Sequence, residues 1–177
     1  MLKHLDESGF CLCLPPTYTW TRKGRSHQHR VRTRWGSKGR VNLIGTLSVE
    51  GEVERIEYEM LDGGCRAREV VCYLDALADK ARAEGKPCVV VLDNAPFHRA
   101  EILQEERAKW EAKGLRLYYL PAYYCPHLNP IEGVWKRLKG FLMPRRFYDT
   151  LADLKEAVLS ALRLLGAVEV HSQLGRT

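Results

Sequence analysis

The sequence predicts an α/β fold: one mixed sheet whose first three strands are antiparallel and whose later strands are parallel, flanked by helices. Three features point to it. Val41 to Val49 and Val53 to Met60 alternate in polarity and are separated only by Glu50-Gly51-Glu52, so they form an antiparallel pair. Cys88-Val89-Val90-Val91-Leu92 is a short continuous apolar run, the mark of a strand buried on both faces. From Val70 onward, helical spacing alternates with such runs, and alternating strand and helix builds parallel strands with helices on the sheet faces.

The elements follow in order. Residues 2–14 read as a first strand interrupted near Gly9, after which Phe10, Leu12 and Leu14 alternate. Pro15-Pro16 opens an irregular stretch reaching residue 40. In the third strand Ile56, Tyr58 and Met60 share one face, and Glu57 and Glu59 the other. Asp62-Gly63-Gly64 breaks the pattern. Val70, Val71, Leu74, Leu77, Ala78 and Ala81 then recur at helical spacing, with Gly85 past the helix end. Strand 87–92 comes next. A helix is expected from Pro96 to Lys113, with Gly114 beyond it, and a strand from Leu115 to Leu120. After a loop over Pro121–His127, Asn129 starts a helix whose stripe is Ile131, Val134, Trp135, Leu138 and Leu142. The last helix runs from Leu151 to Leu165 with Thr150 as N-cap, and residues 166–177 form a loose tail. This element order matches a ribonuclease-H-like arrangement.

A length of 177 residues favours one domain, and a 45% hydrophobic content supports a core. The net charge of +6 points to a polyanionic partner. No apolar run approaches the roughly 18–20 residues that span a bilayer, and Met1-Leu2-Lys3-His4 lacks a signal-peptide pattern. Cys11, Cys13, Cys65, Cys72, Cys88 and Cys125 contain no Cys-x-x-Cys and read as reduced thiols of a cytosolic protein. Cys11-x-Cys13 with His27-x-His29 would be an alternative zinc set, but its spacing is unlike the common zinc patterns.

Three carboxylates stand out, each with a plainer explanation beside the chemical one. Asp93 closes the buried Val-Val-Val-Leu run, at the strand end where open α/β sheets build their sites. A carboxylate there is costly to desolvate unless paired or metal-bound, although Asp93 or Asn94 could cap the next helix. Glu132 lies in Asn129-Pro130-Ile131-Glu132, which fits a capping box with Asn129 as N-cap. The same placement sets a carboxylate beside buried Ile131 in a first helical turn. Asp6 ends a short apolar stretch; a solvated acid near the terminus is the plain alternative, and Glu7 could serve in its place.

These residues carry a resemblance. Leu5-Asp6-Glu7-Ser8-Gly9-Phe10, Trp20 with Lys23-Gly24, Val41-Asn42-Leu43-Ile44-Gly45, Leu92-Asp93-Asn94-Ala95-Pro96-Phe97-His98, and the block from Leu120-Pro121 through Asn129-Pro130-Ile131-Glu132-Gly133-Val134-Trp135-Lys136 are similar to the catalytic domain of DDE transposases. More narrowly they resemble mariner-like insertion-sequence transposases, often labelled DDE-superfamily endonucleases. The likeness covers residues 5 to about 145, and its Asp93 and Glu132 blocks are specific in combination. It implies a ribonuclease-H-like fold over residues 1–165, with metal-binding catalytic carboxylates at Asp6, Asp93 and Glu132. It implies two Mg²⁺ (or Mn²⁺) ions, which activate the attacking oxygen and stabilise the leaving one. The implied reaction is cleavage at transposon ends followed by strand transfer into double-stranded DNA. Family members carry an N-terminal helix-turn-helix region; here Met1 lies five residues before Asp6, so that region is expected to be absent. A homodimer and a separately encoded helix-turn-helix protein are the protein partners this organisation suggests, in a prokaryotic, nucleoid-associated cytoplasmic setting. Two rivals stay open: a ribonuclease-H-like nuclease that cuts without joining, and an inert DNA-binding remnant.

His98, Asn94 and Asn129 lie beside the carboxylates as supporting residues. His98 is expected to be neutral, its pKa lowered by helix polarity; a plain surface histidine is the alternative. Arg22, Lys23, Arg25, Arg30, Arg32, Arg34, Lys38 and Arg40 crowd a stretch without acids, interleaved with Trp20 and Trp35. Such a loop suits phosphate contacts and base stacking. Lys136, Arg137, Lys139, Arg145 and Arg146 form a second basic set, in which Lys136 and Lys139 are expected to face outward beside Glu132 and to contact DNA.

Overall fold

The alternating and continuous apolar runs build a six-stranded sheet of order β5-β4-β1-β2-β3-β6. The computed structural model describes residues 1–12, 23, 39–50, 53–121, 128–143 and 147–170. β1 is Leu2–Cys11, β2 Arg40–Glu50 and β3 Val53–Leu61, and the three form an antiparallel meander. Helix α1 (Ala67–Glu84) leads to β4 (Cys88–Leu92), which pairs parallel with β1. A 3₁₀ turn (Pro96–Arg99) and α2 (Glu101–Ala112) lead to β5 (Leu115–Tyr119), parallel with β4. Helix α3 (Ile131–Arg137) widens into a π-helical turn over Leu138–Leu142, and α4 (Leu151–Leu164) precedes β6 (Val168–Glu169).

Strand alternation sends apolar side chains to both faces, and each face has its own core. Phe10, Leu43, Leu47, Ile56 and Tyr58 pack against Val134, Trp135 and Leu138 of the α3 region and Leu154 and Val158 of α4. Leu5, Ile44, Val90 and Leu92 pack against Val70, Leu74 and Leu77 of α1 and Leu103 and Trp110 of α2. An antiparallel meander extended by parallel strands, with helices on both faces, is the ribonuclease-H-like arrangement.

Several local expectations change. β1 runs unbroken through Gly9, which pairs with Asn42. The helix expected from Pro96 to Lys113 is broken at Ala100, whose extended backbone (φ −60°, ψ 147°) separates the 3₁₀ turn from α2. The tail expected to be loose from residue 166 instead adds β6 to the free edge of β3, and the Val170 amide donates to the Tyr58 carbonyl at 2.7 Å. The face carrying Glu57 and Glu59 is buried, with Tyr73 and Lys80 of α1 over it. There Glu57 accepts from Lys3 and Lys80 and its own carbonyl accepts from Tyr73. Thr150 caps α4 as expected, its Oγ1 accepting from the Asp153 amide at 3.1 Å.

Candidate active site

The register of β1 and β4 sets two of the three carboxylates side by side. The pairs Leu2↔Val89, Lys3↔Val90 and His4↔Val91 share one offset, and two further steps bring Asp6 level with Asp93 just past the end of β4. Glu132 lies on the first turn of α3, which packs on the face of the sheet to which Asp6 points. Its approach is fixed by Asn129, expected as the helix cap. The cap position falls to Pro130, and the buried Asn129 side chain donates to the Leu5 carbonyl at 3.0 Å, tying the start of α3 to the residue before Asp6. Gly45 lies across from Asp6 on β2. A β-carbon there would come within 2.9 Å of the Trp135 ring and 3.0 Å of the Glu57 carbonyl. Glycine therefore lets α3 settle onto the sheet beside Asp6.

The charges of Glu132 and Asp93 both reach Asp6. Burial, then the charges of Glu7, Glu132 and Asp93, push the Asp6 carboxyl up to about 7, with only a backbone hydrogen bond from Glu7 opposing. Asp93 goes the other way: its hydrogen bond from His98 outweighs its burial and lowers it, helped by the Ala95 amide at 2.9 Å and the His98 charge. His98 is wholly buried, contrary to the surface alternative, and its carboxylate partners shift its pKa in the direction opposite to the expected lowering. Burial alone would lower its pKa. Hydrogen bonds and charges from Asp93 and Glu7 outweigh burial and raise it to about 9. The imidazolium donates from Nδ1 to Asp93 Oδ1 at 2.7 Å and from Nε2 to Glu7 Oε1 at 2.8 Å. Glu7 also raises the Cys65 thiol, after burial, so that Cys65 stays protonated at the rim.

Among the described residues no three His, Cys, Asp or Glu side chains are gathered closely enough to enclose an ion. The donor chemistry nevertheless fits a hard divalent cation. The locus offers carboxylate oxygens, the buried Asn129 Oδ1 lacks a partner among the described residues, and burial and like charges raise the Asp6 pKa, a shift that a cation would reverse.

Of the expected DNA-contacting residues, Lys23 and Arg40 are exposed, as is Lys136 on α3. Arg22, Arg25, Arg30, Arg32, Arg34 and Lys38 lie outside the described residues, as do Cys13, His27 and His29 of the zinc alternative. Cys11 is a free thiol. Lys139 does not face outward as expected. It is half-buried with its ammonium 5.1 Å from the Phe10 ring centre, and burial, then the Arg40 charge, lower its pKa while Asp6 opposes. Arg137 pairs with Glu54 at 2.6 Å. Sequence reasoning raised Glu7 only as a substitute for Asp6, and missed Cys65, Arg99 and Tyr119. The adjacent acids Asp6-Glu7, which alternation sends to opposite faces, were the available signal for a second acidic role.

Asp6, read from the sequence as closing a short strand, lies mid-strand in β1, level with Asp93 just past the end of β4, within a ribonuclease-H-like sheet. A family model described as DDE superfamily endonuclease matches residues 2–155, and the chain belongs to that family. A search of curated proteins gave no match. Among solved structures, the Mos1 mariner paired-end complex with Mn is similar at 18% identity and TM-score 0.60, over 88% of this chain and 46% of that one. The Mos1 strand transfer complex aligns at 17% identity and TM-score 0.55, over 88% and 45%. A simian T-cell lymphotropic virus intasome bound to PP2A regulatory subunit B56 gamma aligns at 14% identity and TM-score 0.53, over 91% and 46%. At such identities the likeness is one of fold, and this chain spans less than half of each of those chains.

Proposed function

We propose that residues 1–165 form the catalytic domain of a transposase that cleaves DNA at transposon ends and joins the freed end to target DNA. The observation that carries this reading is the registration of Asp6 against Asp93, with Glu132 brought to the same locus by the Asn129 bond to Leu5. Membership of the DDE superfamily endonucleases and the fold of the Mos1 complexes support it.

Asp6, Asp93 and Glu132 would hold two Mg²⁺ or Mn²⁺ ions. When bound, such a pair supplies an activated attacking oxygen and charge neutralisation on the leaving one. His98 fixes the Asp93 carboxylate by occupying Oδ1, and Glu7 anchors His98 from β1. Arg40 and Lys139 set positive charge beside Asp6, and with Lys23, Lys136 and the basic stretch they neutralise the DNA backbone. Double-stranded DNA is the partner, joined by a second copy of the chain and a helix-turn-helix protein that selects the ends. Among the described residues no helix is long and apolar enough to cross a membrane.

A nicking assay on supercoiled plasmid with the full chain and Mg²⁺ tests the reading. Nicked and joined products that vanish in Asp93→Asn are expected. Nicking without joining would favour a plain nuclease. Products that persist in Asp93→Asn would reject the assignment.

A further inference from the structure

Arg99 is the feature this function leaves unused. It ends the 3₁₀ turn that follows Asp93, and it is exposed. An exposed arginine ordinarily samples many rotamers, at a cost of about 2 kcal/mol when fixed. This one is already fixed. Its Nε donates to Asn94 Oδ1 at 2.8 Å, and Nη2 donates to the same oxygen. Asn94 is itself oriented, because its Nδ2 donates to the Leu120 carbonyl. The guanidinium lies over the Tyr119 ring, 5.1 Å from its centre. Tyr119 is held in turn by its hydroxyl, which donates to the His98 carbonyl at 2.8 Å. No carboxylate pairs with Arg99 among the described residues. Of the five N–H groups of a guanidinium, two are used on Asn94, leaving three without a partner among the described residues.

We propose that Arg99 is a pre-ordered phosphate-binding residue that grips the DNA backbone beside Asp93, with Tyr119 as its platform and Asn94 as its tether. A planar cation with spare donors in a fixed fork matches a phosphodiester oxygen pair. Its anchors come from the ends of β4 and β5, so the grip is registered to the sheet edge that carries Asp93. The proposal rests on the DNA-processing reading above and adds a residue to it.

The test measures binding of the full chain to a short DNA duplex by fluorescence anisotropy across a salt series in EDTA. Arg99→Gln should weaken binding roughly tenfold at moderate salt and lower the slope of log affinity against log salt by about 0.9, the loss of one phosphate contact. Arg99→Lys keeps the charge but not the fork; it should retain the slope and lose about threefold in affinity. Thermal unfolding reports whether either variant disturbs the fold, and either alone decides the slope. An Arg99→Gln slope equal to wild type, or an Arg99→Lys slope as reduced as that of Arg99→Gln, overturns the proposal while leaving the transposase reading intact. Wild-type protein that binds no duplex at any salt overturns both.

Discussion

Two desolvated acids in one sheet meet opposite fates. Glu57, on β3, is wholly buried, and burial alone would raise its pKa; hydrogen bonds from Lys3 and Lys80 outweigh that and lower it. Asp6, on β1, is also desolvated, but its neighbours are Glu7, Glu132 and Asp93, and its pKa rises to about 7. Glu57 is neutralised by the protein's own cations. Asp6 has the Lys139 charge nearby but, among the described residues, no hydrogen-bonded cation to offset its burial and its acidic neighbours, and a bound cation would do most there. The difference separates an acid whose charge the protein compensates internally from one whose charge it leaves uncompensated.

Substitutions sharpen this contrast. The largest effect is on activity: Asp93→Asn should lower Mg²⁺-dependent plasmid nicking by on the order of 10³-fold or more. Next is the compensated cluster. Glu57→Leu strands the buried Lys3 ammonium, and urea unfolding should show a loss of about 3–5 kcal/mol. If Glu57→Leu is neutral, the cluster does not stabilise the fold and the contrast fails.

His98 gives a pH signature in chelator. Its folded pKa, about 9, exceeds the ordinary histidine value of about 6.5. The stabilisation is therefore fully present below about pH 6.5 and is lost as pH rises through about 9. Wild type should lose about 3 kcal/mol across that window, and His98→Gln should flatten the decline. At Asp6 the same sign holds lower down. Its carboxyl is easier to protonate folded than unfolded, so stability without metal falls as pH rises from about 4 to about 7. Asp6→Asn should remove that fall and gain roughly 1–2 kcal/mol at pH 8 in chelator. A geometric change closes the series: Gly45→Ala forces Trp135 or the β3 backbone to shift, costing about 1–3 kcal/mol in chemical denaturation.

Much of the sheet was legible because each strand carries its own alternation or continuous run, and the two-residue connection after β2 fixes its hairpin. Asp93 and Glu132 were legible as acids at the edges of apolar runs; Asp6 depended on the family resemblance. What escaped was non-local. Asn129 reads as a cap from its neighbours, yet its amide bonds Leu5, 124 positions away. The local pattern separates Glu57 from Ile56 and Tyr58, but only tertiary packing shows α1 covering Glu57 with Lys80. Two residues are too short a run to mark β6 as a strand. Arg99 and Tyr119 meet only because β4 and β5 are parallel neighbours.

The most direct measurement of the central claim counts Mn²⁺ bound to the purified chain by electron paramagnetic resonance, in wild type and Asp93→Asn at pH 7.5. Two bound ions in wild type, lost or much weakened in the variant, is the predicted result. Equal binding by both proteins, or no binding by either, would contradict an acidic locus built to hold divalent metal.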